Sequence, residues 1–175
     1  MSLYKNKYRI ESSRLKGWDY SSPGNYFITI CTKNRKCLLG DVVNGKIVLS
    51  EMGKIVENYW REIPNHFNGI ILDEFVIMPN HVHGIISIVE TPKLGVSTIT
   101  GDTRNSPHIG IIINQFKRIC TIRIRTSNPG ISVWQSRFHD HIIRDRNELT
   151  RIRQYIINNP DNCEKDDYYR TKVSP

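Results

Sequence analysis

Apolar residues recur along this chain with two periods, one of about two and one of three to four, and the changes between them divide it into elements. Asn25-Tyr-Phe-Ile-Thr-Ile-Cys-Thr32 mixes aromatic and β-branched residues behind the Ser-Ser-Pro-Gly turn at 21–24 and predicts a first strand. Residues 37–40 and 46–49 flank Asn44-Gly45, a strong short hairpin signal, so a small hairpin is expected there. From Ser50 or Glu51 the period lengthens. Met52, Ile55, Val56, Tyr59 and Trp60 share one face of a helix expected to run to Ile63, just before Pro64. Residues 71–78 and 81–89 are β-rich runs separated by Pro79-Asn80 and predict an antiparallel hairpin at the centre of the sheet.

Residues 91–108 carry Pro92, Gly95, Gly101, Asn105 and Pro107 among Ser and Thr and read as a long loop. The helix after it buries Ile113, Phe116, Cys120 and Ile124 and turns Asn114, Lys117, Arg118, Thr121 and Arg125 outward as a basic stripe. Beyond Ser127-Asn-Pro-Gly130, residues 136–144 read as a fourth strand. Asp145-Arg-Asn-Glu148 resembles a capping box opening a last helix, expected to end near Asn159 because Pro160 disfavours helical geometry before it. The order is β, hairpin, α, β, β, α, β, α. This is an α+β arrangement, an antiparallel sheet with helices on one face, and its βαββαβ part resembles the ferredoxin-like or RNA-recognition type of fold. That fold hosts many functions, so function has to be argued from a site.

Length and charge narrow the classes. A chain of 175 residues suits one domain with a real core, 1–175, and no apolar run approaches the roughly 20 residues of a membrane span. The polar, basic amino terminus has no apolar segment of a secretory signal behind it, so the expected place is the cytoplasm. Cys31, Cys37, Cys120 and Cys163 form no C-x-x-C pair and read as reduced thiols. The formal net charge is +8, and it is uneven. Residues 1–40 hold eight basic and two acidic side chains and 76–125 hold six and two, against three and six in 41–75. Basic surfaces around an acidic middle point to a polyanion, with nucleic acid leading.

Two His-x-His triplets stand out: His81-Val-His83 and His139-Asp-His141. On a strand, His81 and His83 point to the same face, side by side, as a divalent cation requires of its first two ligands. Under a one-sided helix layer they would lie at the sheet edge or on its open face, where they could equally be ordinary surface histidines beside a turn. In the last helix, Leu149, Ile152 and Ile156 form the apolar stripe, and Tyr155 and Asn159 sit one turn apart on its edge. If they face the His81/His83 strand, Asn159 Oδ1 can complete a metal site and the Tyr155 hydroxyl can approach a phosphate. Otherwise Tyr155 is a half-buried aromatic and Asn159 a helix cap.

Met78-Pro-Asn-His-Val-His-Gly84, then Trp134-Gln135 with Phe138-His-Asp-His-Ile-Ile-Arg144, then Tyr155-Ile-Ile-Asn-Asn-Pro160 occur in an order and spacing that resemble one family. It is the single-tyrosine transposases associated with repetitive extragenic palindromes (REP), HUH endonucleases related to the small single-strand DNA transposases of insertion sequences. The likeness covers about residues 26–160. It implies His81 and His83 as metal ligands, Tyr155 as the nucleophile and Asn159 as third ligand, a place that glutamine fills in the insertion-sequence relatives. It implies Mg²⁺ or Mn²⁺ as cofactor, and cleavage and rejoining of single-stranded or hairpin DNA through a 5′-phosphotyrosine with no need of ATP. The absence of a P-loop segment agrees with that. Lys117, Arg118 and Arg125, the basic amino terminus, Arg151 near the tyrosine, and His141 are the expected DNA contacts, and the nucleoid the expected place of work. A non-catalytic nucleic-acid-binding module on the same fold is the competing class, and a replication or conjugation nickase a further alternative. Monomer and helix-exchanged dimer both stay open.

Overall fold

The computed structural model describes residues 3–4, 7–8, 15, 17–44, 46–90 and 108–162. Most of the basic amino-terminal segment, the loop expected at 91–107 and Cys163 lie outside the described residues. Two short pairs precede and accompany the main sheet: β1 (Leu3–Tyr4) with β2 (Lys7–Tyr8), and β4 (Gly40–Val43) with β5 (Lys46–Leu49). The β4–β5 hairpin turns at Asn44, whose left-handed φ of 51° is what the Asn-Gly signal asks for. Its first strand is 40–43 and not the expected 37–40, because a two-residue turn pairs the residues directly beside it, Val43 with Lys46.

The main sheet has four strands, β3 (Gly24–Cys31), β6 (Ile70–Met78), β7 (His81–Ile88) and β8 (His139–Ile143), in the order β6-β7-β3-β8 with every neighbouring pair antiparallel. Helix α1 (Glu51–Arg61) links β3 to β6, and α3 (Ile109–Ser127) links β7 to β8, so each crossover joins two strands that run the same way with one strand between them. This is the ferredoxin-like α+β arrangement expected from the element order. Ser50 caps α1 by accepting from Gly53 N, and the helix stops at Arg61, with Ile63–His66 forming the short α2. Pro64 sits in the first turn of α2, where its missing N–H costs nothing.

The alternation of β3 and β7 sorts the two faces of the sheet. Tyr26, Ile28 and Ile30 of β3 and Val82, Ile86 and Ile88 of β7 pack with Val56 and Trp60 of α1 and Ile112, Ile113, Phe116, Cys120 and Ile124 of α3. The other face was expected to be free of helices. Instead α4 (Arg146–Asn158) lies on it, where Ile156, with Leu149 and Ile152, packs on Ile85, Ile143, Phe27 and Val76. The reason is the apolar row on that face, which a single covering layer would have left in water. No helix among the described residues is long and apolar enough to cross a membrane.

Candidate active site

His81 and His83 lead β7 directly after the Pro79-Asn80 turn, and both are fully buried. They are neither at an edge nor on an open face, because β7 is an inner strand and α4 covers this side. Their rings stand 4.4 Å apart, centroid to centroid, with planes at 68°. Each Nδ1 is engaged: that of His83 lies 2.9 Å from Thr29 Oγ1, and that of His81 lies 2.7 Å from Asn80 Oδ1. The hydroxyl of Tyr155 lies 3.2 Å from Nε2 of His83. Phe27 stacks on the His83 ring at 5.3 Å and meets the Tyr155 ring edge-on at 6.1 Å, which fixes both rings from below.

Asn159 is 2% exposed and caps the carboxyl end of α4. Asn159 follows Tyr155 by one helical turn at the carboxyl end of α4. Among the described residues no group of three or more His, Cys, Asp or Glu side chains gathers in one place. The imidazole pair is what the structure brings together, and the Asn159 amide oxygen, one turn beyond Tyr155, is the further donor a metal reading would call on. With each Nδ1 held by a neighbour, the two Nε2 atoms are the imidazole nitrogens left to hold a cation, as in metal-bound histidines, and two imidazoles with one amide oxygen would leave positions for water and phosphate oxygen. That set fits a Mn²⁺- or Mg²⁺-type cation.

The second triplet falls differently. His139 pairs with Thr29 and His141 with Phe27 across β3–β8, so both share the face of His83, and His139 is the one at its level. His141, ranked above it from the sequence, is turned to Glu148 Oε1 at 2.8 Å. Glu148 also accepts from Arg144 N, and its own amide donates to Asp145 Oδ1, so half of the expected capping box forms and the glutamate closes on Arg144 instead. The Arg144 amide, then the His141 contact, hold the Glu148 carboxyl below the ordinary range. Arg151 is exposed, its guanidinium 4.0 Å from Glu148.

Of the basic stripe, Arg118 and Arg125 are exposed but Lys117 is not: it is 9% exposed, and Nζ donates to the carbonyls of Gln135 (2.6 Å) and Ser136 (3.2 Å). Burial lowers its pKa. A groove of about 450 Å³ runs between α3 and residues 132–136, with Lys117, Arg118 and Arg125 in its lining and no carboxylate. Trp134 bridges Thr32 and Gln135 N donates to Cys31 O, so this segment extends the sheet edge at the end where Cys31 pairs with His81. Sequence reasoning missed Thr29, Asn80 and Phe27, since none belongs to a metal or nucleophile pattern; only the Pro-Asn-His run hinted that Asn80 adjoins the site.

Comparison with known proteins bears on the family and the fold. An uncharacterized protein of Haemophilus influenzae is 42% identical over 166 residues, 90% of this chain and 92% of its own. A candidate REP-associated tyrosine transposase of the same organism is 27% identical over 149 residues, 81% of this chain and 73% of its own. A solved REP-associated tyrosine transposase bound to a REP hairpin shares the fold, with a TM-score of 0.51 at 22% identity over 91% of this chain and 73% of that one. The model of the family described as "Transposase IS200 like" matches residues 21–159, from the turn before β3 to the asparagine that ends α4. With that span covering the sheet, both crossover helices and Tyr155, the chain belongs to the IS200-like family of DNA transposases.

Proposed function

We propose that this transposase cuts and rejoins single-stranded DNA beside a hairpin, with Tyr155 as the nucleophile and His81, His83 and Asn159 holding one Mg²⁺ or Mn²⁺ ion. The observation that carries this reading is the 3.2 Å approach of the Tyr155 hydroxyl to Nε2 of His83, next to a second buried imidazole on the same strand. A tyrosine hydroxyl with a pKa near 10 is a weak nucleophile at neutral pH. When bound, the cation supplies charge neutralisation at a non-bridging phosphate oxygen and at the departing 3′ oxygen. The chain supplies the rest. Phe27 and the α4 backbone hold the phenol over the imidazole pair, and Tyr155, 43% exposed, keeps one side open to an incoming phosphate. The tyrosine oxygen bonds to phosphorus as the bond to the 3′ oxygen breaks. The phenolic proton leaves and the 3′ oxygen takes one up, giving a 5′-phosphotyrosine and a free 3′-OH. One phosphodiester replaces another, so a 3′-OH can reverse the step.

Tyr155 meets His83 of its own chain, which supports catalysis within one subunit. A nucleophile on a packed helix does not reach a phosphate inside regular duplex, so unpaired DNA is the expected substrate. The hairpin held by the solved relative supports a palindromic element beside it. Arg118, Arg125 and Arg151 are the proposed phosphate contacts, with Lys117 shaping the groove floor and His141 a weaker contact, and the nucleoid is the expected place of work. The test is to incubate the protein with a labelled hairpin bearing single-stranded flanks and Mn²⁺, then denature. A covalent protein–DNA band that disappears in Tyr155→Phe is expected. Tight binding across many hairpins with neither adduct nor nick would sink the proposal.

A further inference from the structure

We infer that Asn80 is a positioning residue that sets the tautomer of His81 and aims its Nε2 into the metal site; this rests on the reading of His81 as a ligand. Asn80 is fully buried in the β6–β7 turn, and each part of it is pinned. Its carbonyl oxygen accepts from Thr32 N and Thr32 Oγ1, both at 2.9 Å, and the Pro79 carbonyl accepts from Leu39 N at 2.9 Å. Its side-chain Nδ2 donates to the Arg35 carbonyl at 3.2 Å. That carbonyl belongs to the tight turn over Lys33–Arg35, where Asn34 and Arg35 take left-handed φ values of 56° and 53°.

The Arg35 bond decides which end of the amide faces the histidine. Turned round, the carboxamide would set its oxygen against a carbonyl oxygen, acceptor against acceptor. With Oδ1 therefore held 2.7 Å from His81 Nδ1, and an amide oxygen able only to accept, Nδ1 carries the proton. A neutral His81 then keeps its lone pair on Nε2, the nitrogen on the far side of the ring. A free histidine side chain in water prefers the opposite tautomer, so Asn80 stabilises an arrangement that His81 would not keep by itself. His83 is different: Thr29 Oγ1 can donate or accept, so that contact does not by itself assign its proton.

The experiment reads the tautomer and the metal separately from DNA cleavage. In the chelated full-length protein at mildly alkaline pH, long-range ¹H–¹⁵N correlation should show His81 protonated on Nδ1 and bare on Nε2. Asn80→Ala should release that preference and weaken Mn²⁺ binding, followed by electron paramagnetic resonance, about 10–100-fold. Asn80→Asp, which keeps an acceptor toward Nδ1 but sets its second oxygen against the Arg35 carbonyl, should keep His81 protonated on Nδ1 and recover only part of the affinity. Thr32→Val, which loosens the same turn and leaves the amide in place, should lower Tm without a comparable loss of Mn²⁺ affinity. His81 protonated on Nε2 in the unaltered protein, or Mn²⁺ binding unchanged in Asn80→Ala, would overturn the inference and leave the metal site standing. An Nδ1-protonated His81 in a protein that does not bind Mn²⁺ would overturn the metal-site reading and this role with it.

Discussion

At the centre of the site an exposed phenol touches a fully buried imidazole. The division suits the chemistry: a nucleophile has to meet substrate from outside, while charge–ligand interactions are strongest where water is excluded. Asn159 belongs to the buried side, so Asn159→Ala should lower Mn²⁺ affinity by more than tenfold, whereas Asn159→Gln, which keeps the amide oxygen, should retain most of it. Isothermal titration with Mn²⁺ checks both. His141→Gln should change cleavage little, because His141 already bonds Glu148 and stands more than half exposed. The histidine pair and the Tyr155/Asn159 pair were legible in the sequence because each lies within one element of known period. Their depth was not. An α4 on the second face turned two expected surface histidines into buried ones, and the partners that orient them, Thr29 and Asn80, carry no reactive group that would single them out.

Helix α4 presents Tyr155, and its tie to the sheet is the two-pronged ion pair from Arg153 to Asp73 of β6, with distances of 2.6–3.1 Å. Burial by itself would raise the Asp73 carboxyl, but the Arg153 hydrogen bonds, the Glu74 amide and the Arg153 charge outweigh it and hold it below its ordinary 3.8. The folded carboxyl is the stronger acid, so this contribution is complete above pH 3.8 and is lost as pH falls through the lower folded value. The protection of α4 amides, corrected for the intrinsic exchange rate at each pH, should therefore fall at acid pH, and in Arg153→Ala it should already be lower at neutral pH with less further acid response. Since Arg153 is 42% exposed, solvent screening keeps the expected cost in stability small. On the opposite helix layer, Arg118 and Arg125 border the groove beside residues 132–136. The double variant Arg118→Ala/Arg125→Ala should weaken single-strand binding and flatten its dependence on log salt by about 1.4, roughly 0.7 for each phosphate that is no longer neutralised. The outward stripe on α3 was readable from helical period. That Lys117 bends back to cap the carbonyls of Gln135 and Ser136 was not, because those acceptors belong to a segment the chain reaches only after folding.

Across the whole molecule, the central strands carry two packed layers at once. Gly84 lies between His83 and Ile85 with its α-carbon hydrogens toward α1, and a methyl group there would collide with the buried Trp60 indole. Gly84→Ala should cost about 1–3 kcal/mol in denaturant unfolding, and the strand shift should also weaken Mn²⁺ binding at the adjacent His83. The element order and the α+β class followed from local chemistry: turn residues such as Pro79-Asn80 and Asn44, the Ser50 and Asp145 caps, and apolar periods that each span some ten to twenty residues. Such signals act between near neighbours in the chain and survive without a fold. Contacts between distant residues do not. Thr29 reaches His83 across 54 positions, Tyr155 reaches it across 72, and Arg153 reaches Asp73 across 80. Which face α4 would cover, and so whether a tyrosine would meet two buried histidines, depended on the sheet order β6-β7-β3-β8 and on burying its second apolar row, which exists only once the strands have paired.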